Sequence, residues 1–337
     1  MKILPIHDDP FITNYNVYGA IFSIIGSDNF FPWLYTNFIG VAVNNYDDTL
    51  YFTDHFSLLE YGNQSSCPGI RIEKPTNKEI VHMYHEESIV DVVIKAIDND
   101  KYVWLYLDRY YIPESDDYQK KHNDHSLLVY GYDEQNQFFY IADNLVNGKF
   151  MTSKCSFELF EKAWISEVCH HYRRFFLYII KQDGTYILDK NILVQGIIDY
   201  LDSNKITQGV FWDQKPVDGP HSYVQDQSYW IFGQEIYSYL NDLIYENHYI
   251  DIRLFHLLWE HKKCMQGRIS FFESDNDKEL SEKYRWVENH SKVMRNMVIK
   301  YNLTRDKSIL KTISEGMKAV AMEERMILRD FLNKVDN

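Results

Sequence analysis

The sequence predicts an α+β protein, an antiparallel sheet with a few helices followed by an all-helical domain. Three observations carry this. Short apolar runs separated by polar turns fill the chain up to about residue 184. Beyond that point apolar residues recur at three- and four-residue spacing, the period of a helix with one buried face. Between the two patterns stands Lys181-Gln182-Asp183-Gly184, a polar stop. It sets the boundary near 182–190 and the domains at 1–184 and 185–337.

The elements follow in order. Val17–Ile25 and Ser88–Ile97 read as helices. Tyr102-Val103-Trp104-Leu105-Tyr106-Leu107 is apolar at every position, as a central strand requires. Ser126–Tyr130 and Phe138–Ala142 are two more strands, joined by the hairpin-sized polar connection Gly131–Gln137. Arg174–Ile180 is a fourth. Helical periodicity then covers 191–202, 233–246, 249–272, 279–301 and 307–333. Asp213–Gln227, holding Pro216, Gly219 and Pro220, reads as a loop.

Composition narrows the function classes. The chain has 337 residues, 45% hydrophobic and 25% charged, with a formal net charge of −14. So acidic a whole argues against nucleic acid, because phosphate binding needs a basic face. No apolar run approaches the ~18 residues of a membrane span, and the first residues leave no room for a signal-peptide core. Cys67, Cys155, Cys169 and Cys264 lie far apart with no CxxC, which argues against disulfides and zinc and for a cytoplasmic setting. Charge also divides unevenly. Lys283–Lys334 holds twelve Lys+Arg against six Asp+Glu, a net of +6, which leaves −20 for the remainder. These helices are either an ordinary solvated face or a docking face for an acidic protein.

One constellation can do chemistry. If the hairpin centres near Glu134 or Gln135, paired residues sum to about 268–270, and His125 lies opposite Asp143 or Asn144. Directly opposed side chains have Cβ atoms roughly 4.5–5.5 Å apart. A carboxylate there accepts one imidazole N–H, fixes the tautomer and leaves the other nitrogen free as a base. The bland alternative is two polar residues at strand rims, satisfied by backbone.

The run His125-Ser126-Leu127-Leu128-Val129-Tyr130-Gly131-Tyr132-Asp133, with Tyr140-Ile141-Ala142-Asp143-Asn144 and Gly148-Lys149, resembles a group of papain-fold proteins. They come from bacterial biosynthetic clusters, are relatives of the C39 peptidases, and include butirosin-type acyltransferases and the amide synthase of closthioamide assembly. Phe31–Ile39, Ser156–Glu161, and Glu260-His261-Lys262-Lys263-Cys264-Met265 with Arg268-Ile269 also match. The likeness spans most of the chain and is strongest over 11–180. It implies a papain-like (C39-like) first domain. It further implies acyl transfer from the phosphopantetheine of an acyl or peptidyl carrier protein to a small-molecule amine. No other cofactor is implied. Its nucleophile is a Cys, its base a His and its orienter an Asp.

His125 and Asp143 map onto the last two roles. The first role finds no thiol, because the expected region Asn16, Val17, Tyr18, Gly19, Ala20 contains none. Either catalysis is lost and the fold kept for binding, or Ala20 stands where a cysteine has been replaced, or His125 deprotonates an amine that attacks the thioester directly. A weaker fourth option is Ser23 as nucleophile, one turn inside the helix. Tyr110, Tyr111 and His122 are read as walls of the substrate cleft. His256 and Glu260 fall one turn apart on a helix without making an HExxH site, and His170-His171 lacks a third ligand, so no metal is expected. A carrier-dependent acyl or amide transferase leads. A catalytically inactive scaffold and a cysteine-peptidase-like hydrolase are the rivals.

Overall fold

A computed structural model describes all residues except 27–29, 54–66, 86–87, 206–225, 274–277 and 337. The loop expected at 213–227 therefore lies almost wholly outside the described residues. Two compact units emerge, one of Met1–Phe31 with Ser57–Tyr186, the other of Pro32–Phe56 with Ile187–Asn337.

The first unit is built on an antiparallel seven-stranded sheet. Its strands are β1 (Lys2–Ile3), β4 (Ile70–Glu73), β5 (Lys101–Asp108), β6 (Asp124–Asp133), β7 (Phe138–Val146), β8 (Lys149–Ser156) and β9 (Leu177–Lys181). They run in the order β4-β9-β5-β6-β7-β8, with β1 pairing the far end of β6. β5 and β6 are buried along nearly their whole length, as expected of central strands with apolar residues on both faces. The strand expected from Arg174 begins only at Leu177, because Glu167–Phe175 winds into a 3₁₀ helix. Short apolar runs do not distinguish the two.

Helix α1 (Asn16–Ile25) packs against β6 and β7. Gly19 permits this approach, since a Cβ there would lie 2.3 Å from the Phe150 ring on β8. Helix α4 (Ile89–Asp98) starts at Ser88, whose side chain accepts the Val90 N–H, and α5 (Phe157–Ile165) starts at Ser156, which accepts the Leu159 N–H. Helix α3 (Asn77–His85) is not legible as a periodic segment, and neither is α2 (Phe31–Asn37), which from Pro32 onward belongs to the second unit.

The second unit holds α6 (Lys190–Asp202), α7 (Ile236–Glu246), α8 (Ile252–Phe272), α9 (Glu279–Thr304) and α10 (Ser308–Asp336). It also holds a small sheet in the order β10-β2-β3, from Trp230–Phe232, Val41–Asn44 and Thr49–Phe52. The helical region is thus not all-helical, and buried charges on α8 explain the addition. Arg268 donates Nε–H to the Tyr35 carbonyl at 2.7 Å and Nη2–H to that of Phe38 at 2.9 Å. His261 donates Nε2–H to the Ile39 carbonyl at 2.8 Å. Burial and the neighbouring Lys262 charge hold His261 well below its usual pKa, so it stays neutral. Beside it Lys262 lies 2.9 Å from the Glu324 carboxylate, and both are fully buried. Glu324 also accepts the hydroxyls of Tyr200, Tyr237 and Tyr284. Every charge in this core is therefore met by a donor or acceptor. Among the described residues, no helix is long and apolar enough to cross a membrane.

Candidate active site

Three chain segments meet at one end of the first unit's sheet: the start of β6, the end of β7 and the N-terminus of α1. The β6–β7 register pairs Leu128 with Ala142 and Val129 with Ile141. A bulge at Tyr130 then shifts it by one residue. Continuing the first register puts Asp143 opposite Leu127, so His125 meets Asp143 along the diagonal rather than head-on. The direct partner of His125 is Leu107 on β5. The diagonal still suffices for long side chains, and His125 Nδ1 lies 3.1 Å from Asp143 Oδ2.

Asp143 is fully buried and its other oxygen accepts the Asn144 N–H at 2.7 Å. Behind it, Arg109 clamps the strand end, donating to the carbonyls of Asn144 at 2.8 Å and Leu145 at 3.0 Å. Asn144 Nδ2 reaches back to the Thr13 carbonyl at 3.2 Å, tying β7 to the segment that leads into α1. Burial opposes the charged form of His125, but the charge and hydrogen bond of Asp143 outweigh it, so the pKa is raised despite the Arg109 guanidinium nearby. With Nδ1–H directed to Asp143, or to the Ser126 carbonyl at 3.0 Å, the free nitrogen for a reacting group is Nε2.

Asn16, the first residue of α1, completes the junction. Its Nδ2 lies 3.4 Å from His125 Nδ1 and donates to the Ser126 carbonyl and, at 3.2 Å, to Ser126 Oγ. Within the stretch 16–20, Asn16 reaches the imidazole. Tyr18, Gly19 and Ala20 are buried within α1, Ala20 completely, and Val17 is half-buried. Ser23 is also fully buried, and its Oγ donates to the Ala20 carbonyl at 2.8 Å. All four cysteines are buried. Burial pushes Cys67, Cys155 and Cys264 up to about 12, so none of these three supplies a thiolate near neutral pH.

Tyr110, Tyr111 and His122 do come together, but around a different carboxylate. His122 Nδ1 lies 2.6 Å from Oδ2 of the buried Asp108, and the Tyr110 ring stacks on the imidazole at 4.2 Å. Asp108 also accepts the Ser166 hydroxyl at 2.6 Å and the N–H groups of Tyr110 and Asn123. Burial raises its pKa less than these four donors lower it. Because Leu107 pairs with His125 and Asp108 with Asp124, strand alternation puts Asp108 on the face opposite His125. The three aromatic residues therefore gather on the far side of the β5–β6 pair from the His125–Asp143 pair.

His256 Nε2 and Glu260 Oε1 form a 3.1 Å pair along α8. Among the described residues, no three of His, Cys, Asp and Glu converge to hold a metal ion. Asp108, Arg109 and Ser166 were not among the residues expected at a site. The Asp-Arg step at a strand end is the one signal in the sequence that marks two of them.

Residues 74–144 match the family model described as butirosin biosynthesis protein H, N-terminal. That stretch contains α3–β6 and β7 through Asn144, hence both His125 and Asp143, and excludes α1. No curated protein matches the chain.

Proposed function

We propose that this protein serves natural-product biosynthesis by forming an amide, or transferring an acyl group, from a carrier-protein thioester to a small amine. The matched family model carries the name of a biosynthetic protein, and we extend that setting to this chain. The observation that carries the chemistry is the His125–Asp143 pair abutting the N-terminus of α1, the arrangement expected of a papain-like (C39-like) site. His125 Nε2 takes a proton from the attacking amine while Asp143 holds the ring and stabilises the imidazolium. The amine nitrogen bonds to the thioester carbonyl carbon, the C–S bond breaks, and the thiol leaves with the proton returned by His125. No acyl-enzyme is needed, since a thioester is already activated.

A second reading draws on a specific observation. The N-terminus of α1, where the resemblance expects a thiol, offers Asn16 beside the Asp143-facing Nδ1 of His125, which favours a member of the fold that binds a carrier protein without turning over. It also sets a peptidase-like hydrolysis furthest from support. Either reading needs a carrier contact, and we assign it to the basic C-terminal helices. The solvent face of α9 presents Arg285, Lys292 and Lys300 beside Trp286, Val293 and Leu303.

A single-turnover assay with an acyl-carrier thioester and a panel of amines tests the proposal. Amide product that disappears in His125→Ala is expected, and product retained in that variant overturns the role of His125. Carrier binding that weakens steeply with salt, with no product formed, would establish the second reading instead.

A further inference from the structure

A cleft of about 780 Å³ opens in the second unit between the end of α6, residues 233–241 and α10. Its framework is tightly specified. Ser203 ends α6 in the left-handed region at φ 55° and its Oγ accepts the Glu235 N–H at 3.0 Å. Gly233, at φ 56°, has no room for a Cβ, which would meet the Tyr200 carbonyl oxygen at 2.3 Å. Arg325 donates to the Leu201 carbonyl at 2.9 Å, so the end of α6 is held to α10.

The floor is polar but neutral overall. Tyr237 faces the cleft and donates to Glu324, whose charge Lys262 offsets. What remains for a ligand is Asp202 at the end of α6, Glu235, Lys318 and the Arg325 guanidinium on α10, and an apolar strip that includes Ala321 and Met322. Among the described residues none of those four charged side chains has an ion-pair partner. Asp202 also sits at the C-terminus of a 13-residue helix, whose negative pole favours a cation. Two carboxylates, two neighbouring cations on α10 and an apolar strip make a definite pattern of demand.

We propose that this cleft binds a diamino monocarboxylic acid of the ornithine or lysine kind. Its two ammonium groups face Asp202 and Glu235, its carboxylate faces Lys318 and Arg325, and its methylenes lie along Ala321 and Met322. Ligand pockets of this size combine an apolar wall with a few placed polar groups in the same way.

Calorimetric titration of the full chain at low salt, with L-ornithine and L-lysine, tests this. L-Norleucine lacks the side-chain amine and cadaverine lacks the carboxylate. An exposed ion pair is worth up to about 1 kcal/mol, so each control should bind about threefold to fivefold more weakly than L-lysine. Asp202→Asn combined with Glu235→Gln should weaken both diamino acids roughly tenfold, and Ala321→Trp should abolish binding by filling the cleft. The double variant changes only exposed side chains, so it carries the test should Ala321→Trp fail to fold. Absence of binding at millimolar ligand, equal binding of norleucine and lysine, or unchanged binding in the double variant overturns the proposal. None of these residues belongs to the His125–Asp143 site, so such failure leaves the acyl-transfer reading standing.

Discussion

Asn16→Cys would probe the electrostatics of the junction without any substrate. Asn16 opens α1, and its Nδ2 is 3.4 Å from His125 Nδ1. Losing its hydrogen bonds to Ser126 costs about 1 kcal/mol each, too little to unfold the unit. An unperturbed thiol titrates near ~8.5 and is only about 3% thiolate at pH 7. At the α1 N-terminus the helix dipole contributes up to about 2 kcal/mol, and an imidazolium sustained by Asp143 adds to it. Together they should bring the thiol to roughly 6–7, making half or more of it thiolate at pH 7. The assay is alkylation by iodoacetamide across a pH series, read by intact mass. Because nucleophilicity falls with thiol pKa, the midpoint of the pH–rate curve is the readout rather than the absolute rate. The background is quiet, since Cys67, Cys155, Cys169 and Cys264 are all buried. Adding His125→Ala should move the midpoint back up by about one unit. A midpoint at or above ~8.5, or one indifferent to His125, would refute the claim that this junction is built to hold an anion.

Two further outcomes concern the charge on His125 and the buried Glu324. Asp143→Asn should lower the pKa of His125, as followed by NMR of the imidazole. Since the folded-state value lies above the ordinary ~6.5, the pair's stabilisation is complete below that pH and fades as pH rises through the raised value. The stability gap between parent and variant should therefore be widest in mild acid and shrink in alkali; a gap that widens with pH contradicts the assignment. Glu324→Ala should cost about 3–5 kcal/mol in urea unfolding, because it leaves the buried Lys262 and three tyrosine hydroxyls without their acceptor. Lys262→Met with Glu324→Leu should recover much of that loss, and a single-variant cost within ~1 kcal/mol would show the network to be dispensable.

The central strands were legible because β5, β6 and β7 carry apolar residues where a buried sheet needs them. β8 was missed although Asn147-Gly148 is the strongest short hairpin signal, and both residues do take positive φ at 50° and 68°. Its sequence Lys149–Ser156 is largely polar and half-exposed, so no alternation announced it. The His125–Asp143 encounter was legible from hairpin arithmetic, but the strands pair at a sum of 271 near the turn, which the bulge at Tyr130 brings to 270, so Asp143 faces Leu127 and meets His125 diagonally. Tyr110, Tyr111 and His122 were read by nearness in sequence, whereas strand alternation places Asp108, and the cluster on it, on the other face. The lack of a thiol over 16–20 was visible in the sequence, with Ala20 the position singled out, whereas the bonds that tie Asn16 to Ser126 needed the fold. Nothing local in 32–56 indicates that its carbonyls will be met by Arg268 and His261.

That last arrangement bears on the order in which the chain can mature during synthesis. Residues 41–52 form two strands of a unit whose anchoring side chains, His261 and Arg268, emerge from the ribosome roughly two hundred residues later. At about 5–20 residues per second, that hairpin waits roughly ten to forty seconds for its partners. For most of that interval, until Trp230–Phe232 is made to pair with β2, Val41, Val43, Leu50 and Phe52, all buried in the finished protein, lack their partners from the second unit's later residues. Nascent chains stalled before and after α8 should therefore differ sharply in protease resistance at 41–52, and slowing translation should lengthen a window in which chaperones are needed.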